Sequence, residues 1–148
     1  MHALIETTIG NVNVTVSQAT EYAMQAGAEA VLFVPTDLPF VDTTSIRSAK
    51  ELLSRKGGCL IVPDVHGTGT NVLGVAPPYP ALFQFGPGSF ERHSRFAKDA
   101  GLTIHVHRDP ALMFDVDTPD DFRQWTSMPG YNAVWRQSSE HTPELSDC

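Results

Sequence analysis

A chain of 148 residues with 41% hydrophobic content carries enough apolar side chain for one ordinary core. Its formal charge of −7, from 10 Lys and Arg against 17 Asp and Glu, argues against a nucleic-acid reader, a class that is normally basic. Two cysteines exclude a disulfide framework, and no apolar run approaches the roughly 20 residues that span a bilayer.

Met1 to Gly10 is weakly patterned and lacks the basic-then-apolar order of a signal peptide, so a cytoplasmic protein without a membrane partner is expected. From Val12, the apolar positions Val16, Ala19, Tyr22, Ala23 and Ala26 recur at helical spacing, and Gly27 is a natural stop. "EAVLFVP", Glu29 to Pro35, is a short continuous apolar run, the pattern of a strand covered on both faces. "DTTSIRSAKELLSRKGG" predicts a helix capped by Asp42 or Thr43, with Ile46, Ala49, Leu52 and Leu53 on one face and Gly57 closing it. "CLIVP", Cys59 to Pro63, is a second buried strand and makes Cys59 a core thiol. "GTGTN" is a turn, and "VLGVA" a further strand. "SFERHSRFAKDAG" predicts a helix with Ser89 as cap, Phe90, His93, Phe96 and Ala97 on one face, and Gly101 as terminator. "LTIHVH" and "MFDVD" read as short strands. "TPDDFRQW" opens a last helix, with Asp117 or Thr118 as cap and Pro119 in the first turn. After Met128 a polar tail, residues 129–148, is expected to be loose and to contain Cys148.

Strands alternating with helices imply a single α/β layered domain over residues 1–128 with a largely parallel sheet. In such sheets ligands bind beyond the carboxyl ends of the strands. Asp37, the segment from Asp64 to Asn71, and the pair Asp115 and Asp117 all fall there.

Asp37 sits between two prolines, which fix the backbone and hold its carboxylate in one direction. It either caps local amides or serves as a hard-metal ligand, Mg²⁺ being bound by one or two carboxylates plus substrate phosphates. Asp115 and Asp117, two residues apart in an expected strand, share a face. Asp117 has the alternative of capping the following helix. "GTGTN" fails as a dinucleotide fingerprint, because a strand follows it and no third glycine is in place. It is either a hairpin-like turn or a loop whose amides and the Thr68 and Thr70 hydroxyls meet an anion. His66 reads as a solvated loop histidine, and His105 with His107 as a satisfied strand face rather than a metal pair. In "FGPGSF", Gly86 and Gly88 let the backbone approach a ligand, and the first turn of the helix at Ser89 favours an anion. A plain turn needs one glycine at most, so an anion seat is expected. Arg92 and Arg95 are charge partners for it or simply solvated.

Taken in order, "PTDLPF", "DVHGTGTNVL", "FGPGSFERH" and "FDVDTPDD" resemble the 2-phospholactate or phosphoenolpyruvate guanylyltransferases of the CofC/FbiD type, which act in deazaflavin coenzyme F-420 biosynthesis. The resemblance runs from about Val12 to Trp125. It implies a Rossmann-like, GT-A-like nucleotidyltransferase fold, a three-layer α/β sandwich. It also implies transfer of GMP from GTP to phosphoenolpyruvate, 2-phospholactate or 3-phosphoglycerate, with Mg²⁺ and release of pyrophosphate. Asp37 and Asp117 would be the catalytic Mg²⁺ ligands, with Asp115 as a second choice. Thr70, Gly86 and Ser89 would seat the carboxylate of the acid, and Asn13 would lie near the guanine pocket. The family begins with a strand and a glycine- and basic-rich loop that grips the nucleotide phosphates, and nothing before Val12 matches it. The domain is therefore expected to be truncated at its N-terminus. That leaves two further expectations: a phospho-acid binding module without a GTP clamp, or a homo-oligomer formed at the exposed sheet edge.

Overall fold

The computed structural model describes residues 10–128; the expectations for Met1 to Ile9 and for the tail 129–148 lie outside them. Five helices, α1 (Val12–Gln25), α2 (Thr43–Lys56), α3 (Ser89–Asp99), α4 (Pro110–Met113) and α5 (Pro119–Ser127), accompany four strands, β1 (Val31–Phe33), β2 (Gly58–Pro63), β3 (Thr70–Ala76) and β4 (Ile104–Val106).

The strands form one sheet in the order β1-β3-β2-β4. β3 runs antiparallel to both β1 and β2, and β4 runs parallel to β2. The largely parallel sheet expected from element alternation is thus corrected. No helix separates β2 from β3, so the chain returns through the turn at residues 64–69 and pairs antiparallel, as a direct connection must.

Side-chain alternation along β2 and β3 feeds two cores. Cys59, Ile61, Leu73 and Val75 pack on one face with Val16 of α1 and Ala97 of α3. Leu60, Val62 and Val72 pack on the other with Ala49 and Leu53 of α2 and with Leu112. Helices therefore cover both faces, giving three layers. Gly74 sits where the sheet meets α2: a Cβ there would lie 2.9 Å from both Leu32 Cδ1 and Leu53 Cδ2. Cys59 is fully buried, and burial pushes its thiol up to about 12, so it is an inert core residue as expected.

The caps follow the sequence in part. Asp42 accepts the Ser45 amide at 2.7 Å while the Ser45 hydroxyl accepts the Asp42 amide. At α3 the cap is Gly88, in a left-handed conformation (φ 69°), not Ser89, which is already the first helical residue. α1 buries Val16 and Thr20 rather than the stripe centred on Ala19 and Tyr22, because one side of this helix faces solvent. "MFDVD" is not a strand. Asp109 caps the single turn α4, and the chain then runs unpaired to α5. His66 is exposed, as expected. His105 and His107 are not a satisfied face: the Nε2 atoms of both are buried without a hydrogen bond, and His107 Nε2 lies 3.9 Å from Asp109 Oδ2. Among the described residues no helix is long and apolar enough to cross a membrane.

Candidate active site

A cavity of about 500 Å³ opens where the loops after β1, β2 and α4 meet the "FGPGS" loop. Asp37, Asp115 and Asp117 line it together with Thr70, Gly86 and Ser89. These six expected site residues, scattered over 81 positions of the chain from Asp37 to Asp117, share one hollow.

The bonds of the acidic residues show which of them cap a helix or turn. Thr118, not Asp117, caps α5: its hydroxyl accepts the Asp121 amide, and the Asp121 carboxylate accepts the Thr118 amide at 2.8 Å. Asp117 is left facing the cavity. Asp37 is exposed, and among the described residues no hydrogen bond reaches its carboxylate; its carbonyl accepts the Val116 amide at 3.1 Å, which ties the two acidic loops together. Burial first, then the charges of Asp37 and Asp121, holds the Asp117 carboxyl above its ordinary range. Burial likewise raises Asp115, helped by the charges of Asp117 and Asp64 and opposed by a hydrogen bond from Asn71.

Two residues of the site carried no role in the sequence reading. Asp64 is drawn into its own loop. Burial opposes its charge, but the amides of Thr68 (2.9 Å) and Gly69 (2.8 Å), with that of Gly67 and the Thr68 hydroxyl, outweigh this and hold its carboxyl below the usual range. A Cβ on Gly69 would come 2.7 Å from Asp64 Oδ2, so a side chain there would push the Asp64 carboxylate out of this position. Asn71 is buried, and its amide donates to the carbonyls of Leu112 (3.3 Å) and Met113 (2.9 Å) and to Asp115 Oδ1 (3.2 Å), which aims that carboxylate. The signal for Asn71 is a polar side chain in an otherwise apolar strand.

The anion-seat side differs from expectation in detail. The Ser89 amide is spent on Gly86 O (3.0 Å) and the Phe90 amide on Thr68 O (3.2 Å). The helix end therefore offers fewer free donors than its position suggests. What remains is the Thr70 and Ser89 hydroxyls with the other loop amides. Both side chains are buried at the cavity wall, and no capping bond uses that of Ser89. The positive φ of Gly86 (120°) and Gly88 (69°) gives the loop its shape. Arg92 is neither solvated nor a free charge partner: its guanidinium donates to the carbonyls of Gln84 and Pro87 and staples the loop. Arg95 is exposed. His93, expected among the apolar face of α3, is fully buried and hydrogen-bonded through both ring nitrogens.

The Asn13 side chain accepts the Phe85 amide at 2.6 Å and donates to the Phe85 carbonyl at 3.2 Å, so it clasps the loop backbone. Asn13→Ala leaves both backbone groups without that partner and is expected to cost about 1–3 kcal/mol in urea denaturation. A loss under about 0.5 kcal/mol would show that water replaces the clasp.

Hard oxygen donors whose mutual repulsion a cation would relieve fit a divalent ion such as Mg²⁺. Among the described residues, however, no group of three or more His, Cys, Asp or Glu side chains is close enough as it stands to hold one. Any ion would draw the carboxylates together or complete its shell with water and ligand oxygens.

The fold resembles a crystal structure from Desulfovibrio desulfuricans G20 described as that of a nucleotide-diphospho-sugar transferase. The TM-score is 0.67 at 17% identity, over 88% of this chain and 60% of that one. This supports a Rossmann-like nucleotidyltransferase fold. Phosphoenolpyruvate guanylyltransferase from Rubrobacter xylanophilus is 32% identical over 80% of this chain and 58% of its own length. Those from Sphaerobacter thermophilus and Conexibacter woesei are 33% and 36% identical over 93% and 74% of this chain, and over 64% and 49% of their own lengths. The chain thus spans about half to two thirds of the relatives it matches. The family model for CofC-like guanylyl transferases matches residues 2–130. With the four ordered motifs gathered around one cavity, this chain belongs to the CofC-like guanylyl transferase family.

Proposed function

We propose that the cavity is the acceptor side of a guanylyltransferase that moves GMP from GTP onto a small phosphorylated acid and releases pyrophosphate. Phosphoenolpyruvate is the first candidate, as the names of the relatives suggest, with 2-phospholactate and 3-phosphoglycerate as alternatives. The observation that carries this reading is the shared hollow: Asp37, Asp115 and Asp117 line the same cavity as Thr70, Gly86 and Ser89.

The chemistry asks for little more. The nucleophile is a phosphate oxygen, already ionised near neutral pH, so no strong general base is needed. The requirement is alignment of that oxygen with the α-phosphorus and relief of crowded negative charge. Thr70 and Ser89 would orient the carboxylate of the acid through their hydroxyls, and the glycine loop would let its backbone close on the same group. Asp37 and Asp117, with Asp115 held by Asn71, would bind Mg²⁺. When bound, that ion supplies charge neutralisation and a template for the phosphates.

The test is incubation of the full chain with GTP, Mg²⁺ and each acid in turn, measuring pyrophosphate and the mass of the product. Product with phosphoenolpyruvate is expected; none with any acid, from a folded sample, rejects catalysis by this chain. One observation favours a second reading, a phospho-acid binding module: among the described residues no Lys or Arg lines the cavity to grip a triphosphate. Calorimetry with GTP separates the two, since measurable GTP affinity excludes the second.

A further inference from the structure

The cavity wall meets the core at one hydrogen-bonded chain. The Gln84 amide donates to His93 Nε2 at 2.9 Å, and His93 Nδ1 lies 3.0 Å from Thr70 Oγ1. A backbone N–H can only donate, so Nε2 must be the acceptor. In a neutral imidazole the proton then sits on Nδ1 and points at the Thr70 oxygen. We propose that His93 is a positioning residue that makes Thr70 a hydrogen-bond donor to an ionised oxygen of the ligand. This rests on the reading that Thr70 faces the acid substrate.

The direction of each bond fixes the next. Thr70 Oγ1 accepts from the ring, so its own proton turns away from His93. Thr70 is both a buried side chain and part of the cavity wall, so the cavity is where that proton can find an acceptor. A carboxylate or phosphate oxygen brings lone pairs only and completes the chain. A neutral ligand hydroxyl competes less well, having a proton of its own to place. The Phe85 ring, which also lines the cavity, meets the imidazole edge-on with centroids 5.0 Å apart and stops it from turning. Burial and the neighbouring Arg92 charge push His93 down to about 4, so the ring stays neutral at physiological pH and the relay keeps one direction. The device also suits a wall with four carboxylates and no cationic side chain among its described residues: it helps to hold an anion with oriented dipoles.

Two measurements test the proposal. Nitrogen-15 NMR of the imidazoles, on the full chain without ligand at about pH 7, should show His93 as the Nδ1–H tautomer. An Nε2–H tautomer or an imidazolium overturns the proposal whatever the ligand. Calorimetry with phosphoenolpyruvate and, separately, with inorganic phosphate, both with Mg²⁺ present, then compares the wild type with Thr70→Ser, Thr70→Val, His93→Asn and His93→Phe, each checked for folding by circular dichroism. Thr70→Val should weaken binding about tenfold, the size of one hydrogen bond to a charged group, while Thr70→Ser retains it. His93→Phe should weaken binding by a similar factor in the wild type and not at all in the Thr70→Val background. His93→Asn, whose amide nitrogen falls near Nδ1, should rescue most of the loss, which a merely structural role would not allow. Equal losses from His93→Phe in both backgrounds, or no loss from Thr70→Val, overturn the proposal and leave the acid reading intact. Binding of inorganic phosphate with this pattern, but none of phosphoenolpyruvate, supports the proposal and sinks the acid reading. Binding of neither anion overturns both.

Discussion

Acidification from about pH 7 to about pH 4 is expected to remove about 3 kcal/mol of stability through His93 alone. The ring is fully buried, and burial with the Arg92 charge lowers its pKa from 6.5 to about 4 in the folded chain. Between those values the unfolded chain takes up a proton that the folded chain refuses. Stability from this group is therefore fully present above the unfolded value and is lost as pH falls through the folded one. Asp115 and Asp117 act in the opposite sense. Their raised carboxyls favour the folded state once protonated, which masks part of the loss in a simple pH scan.

The measurement is accordingly a comparison. Urea denaturation of the wild type and of His93→Gln is followed across the window, so that contributions of the carboxylates common to both subtract. The glutamine oxygen can still accept the Gln84 amide but cannot titrate. The variant should start less stable near neutral pH, since it forfeits packing against Phe85 and its contact with Thr70. Its curve should be flatter towards low pH by about the stated amount. Parallel curves would mean that His93 protonates in place, and the neutral, oriented ring would be abandoned.

Asp117→Asn is expected to reduce the proposed guanylyl transfer by about 100-fold or more, the equivalent of nearly 3 kcal/mol of lost charge stabilisation. In the absence of metal the same change should raise stability, though by no more than a few tenths of a kcal/mol, because the side chain is exposed and water screens it. The sign follows from its raised carboxyl: at neutral pH the folded chain bears a charge that its surroundings disfavour. Mg²⁺ should stabilise the wild type against heat and leave Asp117→Asn little changed. Mg²⁺ stabilising both proteins equally would move the ion away from Asp117. Full turnover by the variant would remove this residue from the reaction altogether.

Much of the layering was legible in the chain itself. "CLIVP" can bury every second residue on opposite faces only if both faces are covered, and α2 and α3 supply those covers. The cap at Asp42 and the stop at Gly57 were readable because each is a local interaction within a few residues. Strand direction was not, since alternation of element types does not reveal that β2 and β3 are joined without a helix. The pair Asp115 and Asp117 was gathered correctly although its expected strand does not exist; the Val116 bond to Asp37, a contact 79 positions away, holds that segment instead. Such long-range partners also explain why the Asn13 clasp on Phe85, which bridges 72 positions, and the two ring bonds of His93 were not legible from spacing, although the buried face of His93 was. Asp64, placed with its segment beyond β2, drew no role of its own for the opposite reason: its donors are its own near neighbours, a pattern that many ordinary turns share.

The acidic wall of the cavity has one more consequence. A guest bearing several negative charges meets four carboxylates, Asp37, Asp64, Asp115 and Asp117, with no lysine or arginine among the described residues of the lining. It cannot enter unescorted. Counter-ions must arrive before it or travel with it, so occupancy would follow the ionic make-up of the medium as closely as the abundance of the guest.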